Sequence, residues 1–129
     1  MTQSWANKNI KGARHHEHVH PNSIVSGVFY FQTNSSTPII FNKTDQHAFI
    51  FEPIKFNTVN SHQFRLEVKA GECILFPSHL RHAVPENNYF LERISMSFNT
   101  FSLGTLGSKR ALTYLNIKEL VEDKNNENI

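Results

Sequence analysis

The chain carries His18-Val19-His20 and, 62 residues after His20, a further histidine, His82. Side chains on a strand alternate with period 2, so His18 and His20 would share one face while Glu17 and Val19 take the other. A third imidazole from a distant strand would close a facial triad that leaves coordination positions open. Such a triad suits Fe(II), which needs free positions to activate O2. Arg93 follows eleven residues after His82. Its planar guanidinium is a fixed fork for a carboxylate, so an organic acid cosubstrate fits beside the metal.

The histidine run Arg14-His15-His16-Glu17-His18-Val19-His20-Pro21 leaves alternatives. His16 and His18 form a competing pair on the same face, and His15 or Glu17 is a further substitute. Pro21 and the turn residues Asn22-Ser23 favour His18 and His20, because they place that pair at a strand end near a barrel mouth. Solvated histidines with adventitious metal affinity are the bland reading of this run. His82 lies in Pro77-Ser78-His79-Leu80-Arg81-His82-Ala83-Val84-Pro85, which reads as a loop after a buried strand, with His79 as its competitor. Gly71 stands six residues before Pro77 and His82 five after it, a turn-strand-turn spacing that would swing the imidazole back over the barrel mouth.

Arg93, Ser95 and Ser97 share one face of a strand, and Ile94, Met96 and Phe98 the other. The polar face is either an outer surface or a pocket wall. If it looks inward, Arg93 needs an anion, since an unpaired buried charge is costly. A dicarboxylate would serve, with Ser95 and Tyr30 as hydroxyl donors.

The elements that must position these groups are short β-strands. Ile24 to Phe31 is β-branched and aromatic, with Ser26, Val28 and Tyr30 on one face and Val25, Gly27, Phe29 and Phe31 on the other. Strands are also expected over Ile39 to Phe41, Ala48 to Phe51, Phe64 to Val68, Glu72 to Phe76 and Glu92 to Phe98. Asn34 to Pro38, Asn42 to Asp45, Ala70-Gly71 and Asn87-Asn88 are turns, and Pro53 to Gln63 is an irregular connection. Helical periodicity is weak before residue 109, and Lys109 to Val121 suits a short strand or a helix. The pattern predicts an all-β chain with little helix, a sandwich or jelly roll. It forms one domain over residues 1–121 with a polar, frayed tail at 122–129.

Composition agrees with an ordinary globular domain: 129 residues, 39% hydrophobic and 19% charged. Eleven phenylalanines point to a tightly packed β core. A net charge of +2 gives no argument for a nucleic-acid partner. The single cysteine, Cys73, lies in an apolar run and is expected to be a buried, inert thiol. The first residues lack the apolar stretch of a signal peptide and no run is long enough to span a membrane, so a cytoplasmic location is expected. Edge strands in so short a chain are compatible with a homodimer.

Several segments together carry a family resemblance: Trp5-Ala6-Asn7, His18-x-His20-Pro21-Asn22-Ser23, Ser26-Gly27-Val28-Phe29-Tyr30, Leu75-Phe76-Pro77-Ser78, His82-x-Val84 and Glu92-Arg93-Ile94-Ser95-x-Ser97-Phe98-Asn99. In this order, from about Trp5 to Gly107, the chain resembles a family of 2-oxoglutarate- and Fe(II)-dependent oxygenases with members in bacteria and in tailed phages. The resemblance implies a double-stranded β-helix, a cupin-like barrel, located in the host cytoplasm if phage-encoded. It implies Fe(II) held by His18, His20 and His82, and 2-oxoglutarate held by Arg93, Ser95 and Tyr30. The implied reaction hydroxylates a small-molecule or peptidyl substrate with O2 while 2-oxoglutarate is decarboxylated to succinate. No catalytic residue is implied beyond the metal centre.

The chain departs from the wider superfamily at His20, where a carboxylate is usual. Three neutral imidazoles leave the charge of the ion uncompensated, and their affinity should fall below about pH 6.5. It is also short, with only about seventeen residues before His18 where superfamily enzymes carry buttressing helices.

Two rivals stay in view. A cupin-type metal protein uses the same three histidines and needs neither Arg93 nor 2-oxoglutarate. Gly12 before His18, and Gly71 and Pro77 before His82, follow its motifs, although its glutamate is missing at Ile24 and Val25. A non-catalytic jelly roll, as a virion or sugar-binding module, is the other.

Overall fold

The computed structural model describes residues 1–43 and 52–117. Ten strands are described: β1 Gln3–Asn9, β2 His15–His18, β3 Val25–Gln32, β4 Ile39–Asn42, β5 Gln63–Leu66, β6 Cys73–Pro77, β7 Arg81–Val84, β8 Arg93–Asn99, β9 Thr105–Leu106 and β10 Leu115–Asn116. They form two four-stranded antiparallel sheets, ordered β1-β8-β3-β6 and β2-β7-β4-β5, and a small β9-β10 ribbon. This is the all-β, jelly-roll-like architecture expected. The expected strand at Ala48 to Phe51 and the tail at 122–129 lie outside the described residues.

The two large sheets share one core. Val28 and Tyr30 of β3 and Phe76 of β6 cluster with Ile39 and Phe41 of β4 and with Val68. Aromatic edges cross between the sheets: the Phe41 and Phe76 rings are 5.2 Å apart and those of Phe76 and His82 4.7 Å apart. Close packing here removes apolar area from water and supplies most of the cohesion.

The pleat of the first sheet follows the alternation read in β3. Ser26, Val28 and Tyr30 are buried, while Phe31 on the opposite face is exposed. In β8 the polar face is the buried one: Arg93, Ser95, Ser97 and Asn99 point inward, with Ile94, Met96 and Phe98 half-buried outside. The register stacks these inward groups in rows, Asn99 beside Ser26, Ser97 beside Val28 and Ser95 beside Tyr30.

Four expectations need correction. Cys73 is exposed, because β6 is an edge strand buried on one face only; Ile74 and Phe76 turn inward, Cys73 and Leu75 outward. The phenylalanines are not mainly core: among the described residues Phe41 and Phe76 are buried, whereas Phe31, Phe56, Phe64, Phe90 and Phe101 are exposed. His82 is not in a loop but in β7, a strand made by pairing with β2 on one side and β4 on the other. His20 lies two residues beyond the end of β2 rather than on it.

Candidate metal and anion site

Three separate elements bring the histidines together. In β2 the ladder with β7 is irregular between His15 and His18, and His18 pairs directly with His82. On the same row His82 pairs with Phe41. His20 follows β2 and is tethered by its backbone N–H to the Ser78 carbonyl at 2.9 Å. Pro21 and Asn22, the latter at a left-handed φ of 56°, then turn the chain toward β3.

His18, His20 and His82 each place one ring nitrogen within 4.8 Å of the others. Ring centroids are 5.2 Å apart for His18 and His20, 4.4 Å for His18 and His82, and 5.0 Å for His20 and His82. His20 and His82 are buried and His18 is exposed, so the cluster has one open side. The competitors His16, Glu17 and His79 are exposed and outside this cluster. Glu17 faces away, in an ion pair with Arg81 at 3.0 Å and a hydrogen bond from the Asn42 amide.

The hydrogen bonds of the three rings favour metal binding. His18 Nδ1 lies 2.7 Å from the His16 carbonyl, His82 Nδ1 lies 2.9 Å from the Leu80 carbonyl, and His20 Nδ1 lies 2.6 Å from Asn99 Oδ1. Oxygen acceptors at all three Nδ1 atoms assign the proton there and leave each Nε2 lone pair free, the usual outer support of a metal-bound imidazole. Burial also lowers the His82 pKa to about 4, against the hydrogen bond to the Leu80 carbonyl, which raises it. His82 is therefore neutral at ordinary pH, the form that ligates. The donor set fits a divalent transition metal, and imidazole suits iron among others.

Arg93 is 2% exposed, and its Nη1 donates to Ser95 Oγ at 3.1 Å. Its guanidinium carbon stands 5.0 Å from the centre of the Tyr30 ring. Arg93 Nε, which is buried, has no hydrogen-bond partner, and the buried Tyr30 hydroxyl has only the Arg93 guanidinium beside it. Burial pushes the Arg93 pKa down and the Tyr30 pKa up, while each partially offsets the shift of the other. Among the described residues no carboxylate pairs with Arg93. The unsatisfied donors therefore fit an incoming anion.

One cavity joins the two halves. Arg93 and all three histidines line it, a narrow cavity of about 30 Å3. That is room for about one water molecule, so an organic acid bound there would require the lining side chains to move. Ser95 and Tyr30 are not in its lining but pack behind Arg93. Trp5, Asn7, His15 and Ser97 do line it. Asn7 Nδ2 donates to Ser97 Oγ at 2.9 Å, and Trp5 stands 5.6 Å from the His20 ring. The His15 pKa is lowered by burial, then by Arg93 and His18. Sequence reasoning missed β1 as a strand because its inward residues, Trp5, Asn7 and Asn9, are mostly polar and give no apolar period. The period-2 placement of these three was the available signal.

No curated protein matches the chain. Residues 3–99 match the family described as "Putative 2OG-Fe(II) oxygenase". This stretch holds the three histidines, Arg93, and every strand of the two large sheets, and the chain belongs to that family.

Proposed function

We propose that the protein is an Fe(II)- and 2-oxoglutarate-dependent oxygenase that hydroxylates a small-molecule or peptidyl substrate. The observation that carries this reading is Arg93: a buried guanidinium, without a carboxylate partner among the described residues, in the same cavity as three convergent imidazoles. A cavity with that charge calls for an organic dianion once a divalent metal is present.

His18, His20 and His82 would hold the metal through their Nε2 atoms. Arg93 would hold a carboxylate of 2-oxoglutarate, kept in place by Ser95 and by the face of Tyr30. When bound, iron and 2-oxoglutarate supply the oxidising chemistry, in which O2, 2-oxoglutarate and a C–H bond give succinate, CO2 and an alcohol. Val28, Ile39 and Val84 form the apolar part of the cavity wall and limit water.

The test is an anaerobic titration of metal-free protein with Fe(II), with and without 2-oxoglutarate, followed by the visible charge-transfer band of the chelate. A 1:1 band that needs both components supports the oxygenase. Iron binding without that band favours the cupin-type reading, and no iron binding favours a non-catalytic jelly roll.

A further inference from the structure

The three histidines do not get their Nδ1 partners in the same way. His18 and His82 each use the backbone carbonyl two residues earlier in their own segment, His16 and Leu80. Those carbonyls are present whatever the neighbouring side chains are. His20 sits past the end of β2, and its partner is a side chain of the opposite sheet, Asn99 in β8. Of the three candidate ligands, only His20 has its tautomer set by a replaceable group.

An amide side chain can present either oxygen or nitrogen, so Asn99 needs its own support. Asn99 Oδ1 also accepts from Ser26 Oγ at 2.9 Å. Ser26 Oγ is 2.8 Å from Ser78 Oγ, which is 2.8 Å from Ser23 Oγ. The Thr100 backbone N–H donates to Ser23 Oγ at 3.2 Å. Ser26 and Ser78 are fully buried. The Ser26 hydroxyl thus gives its single proton to Asn99 Oδ1, while Ser78 Oγ donates to Ser23 Oγ and Ser23 Oγ donates to the Val25 and Thr100 carbonyls.

We infer that Asn99 is a positioning residue, oriented by the buried Ser26 hydroxyl, that holds His20 with its proton on Nδ1 and so presents Nε2 to the metal. The inference rests on the metal-site reading above and adds to it the residue that makes His20 an imidazole ligand. A carboxylate at position 20 would bring its oxygens against Asn99 Oδ1, two acceptors without a proton between them. An Asn99 oxygen held by the Ser26 hydroxyl thus suits a histidine there.

The first readout needs no metal. Nitrogen-15 NMR of the metal-free protein should give His20 as the Nδ1–H tautomer, and Asn99→Leu should lose that preference. The second is a titration with Co(II) alone, followed by its visible absorption. Asn99→Leu should weaken Co(II) binding by about 10- to 100-fold, the range seen when outer partners of metal-bound histidines are removed. Asn99→Asp keeps the acceptor and should bind at least as tightly as the parent protein. Ser26→Ala leaves Asn99 in place and should give a smaller loss, which keeps the test available if Asn99→Leu does not fold. An Nε2–H tautomer at His20 in the parent protein would overturn the inference. So would unchanged Co(II) affinity in folded Asn99→Leu, or an aspartate variant as weak as the leucine one. Failure of the parent protein itself to bind Co(II) would instead remove the metal-site reading, and the inference with it.

Discussion

Strand β4 turns Ile39 and Phe41 toward the core, whereas β8 turns Arg93, Ser95, Ser97 and Asn99 toward it. These two strands therefore follow opposite patterns. In the β2-β7-β4-β5 sheet Ile39 and Phe41 meet Val28, Tyr30 and Phe76 of the other sheet in the apolar core, and the row His18-His82-Phe41 sets two imidazoles beside an aromatic core residue. The β1-β8-β3-β6 sheet buries hydroxyls, amides and a guanidinium, leaving half-buried apolar side chains outside. Local rules of burial are broken where a function needs the broken residues, and here the breach covers much of one face of a sheet. One sheet holds two candidate metal donors, His18 and His82, the latter beside Phe41. The other holds the buried Arg93 guanidinium and Asn99, whose Oδ1 meets His20 Nδ1.

The strongest way to break this division is to remove a donor from the β2-β7-β4-β5 sheet. His82→Ala is expected to abolish 1:1 metal binding, measured by Fe(II) or Co(II) titration. Two imidazoles then remain, one of them at the exposed edge of the cluster. Retained stoichiometric binding would show that His82 is not a ligand. Next in size is the packing role of the same row. Phe41→Ala should lower unfolding free energy by about 3–5 kcal/mol, read by denaturant titration. Phe98→Ala, in the outward half-buried set of β8, should lose much less. Equal losses would mean that the outer face of the polar sheet is as tightly packed as the core.

Arg93→Met sharpens the comparison from the polar side, and its two effects have opposite signs. The variant should lose at least about 2 kcal/mol of 2-oxoglutarate affinity, roughly 30-fold, because a buried charge partner is gone. Metal binding should persist. The metal-free variant should be as stable as the parent or more so, since replacing a buried charge that lacks an ionic partner with an apolar side chain relieves desolvation. A parallel measurement of 2-oxoglutarate binding and thermal unfolding checks both, and a destabilised metal-free variant would contradict the claim that Arg93 awaits an anion.

Much of this arrangement was legible in the residues. The alternation read over Ile24 to Phe31 and Glu92 to Phe98 anticipated two central strands, Val25–Gln32 and Arg93–Asn99, because side-chain period is a local property of the chain. It could not say whether the Arg93 face looked inward; that depends on the side on which the β2-β7-β4-β5 sheet packs. The grouping of His18, His20 and His82 was anticipated for a partly different physical reason. His20 owes its place to the Ser78 and Asn99 contacts, not to strand pleat, and His82 owes its place to β7, whose bracketing prolines read as loop. Strand β7 exists through pairing on both edges, and β1 buries polar residues against a polar row, so neither leaves an apolar trace in the sequence. Tyr30 and Ser95 were placed beside Arg93, but their position behind it rather than in the cavity lining needed coordinates.

Cys73 gives the smallest expected effect and the simplest check of which residues face out. It lies in β6 opposite Phe29, on the same outward set as Leu75, which is 63% exposed. An apolar run such as Cys73-Ile74-Leu75-Phe76 reads as continuous burial, but an edge strand with one solvated face buries only alternate members, here Ile74 in part and Phe76 fully. Cys73→Ser should therefore change stability by no more than about 0.5 kcal/mol. The native thiol should react stoichiometrically with a thiol reagent such as Ellman's without unfolding. A thiol that reacts only in denaturant would mean that something covers this face in solution. The outward apolar set of the polar sheet would then be an interior surface, and the contrast between the two sheets would lie in what they pack against as well as in what they bury between them.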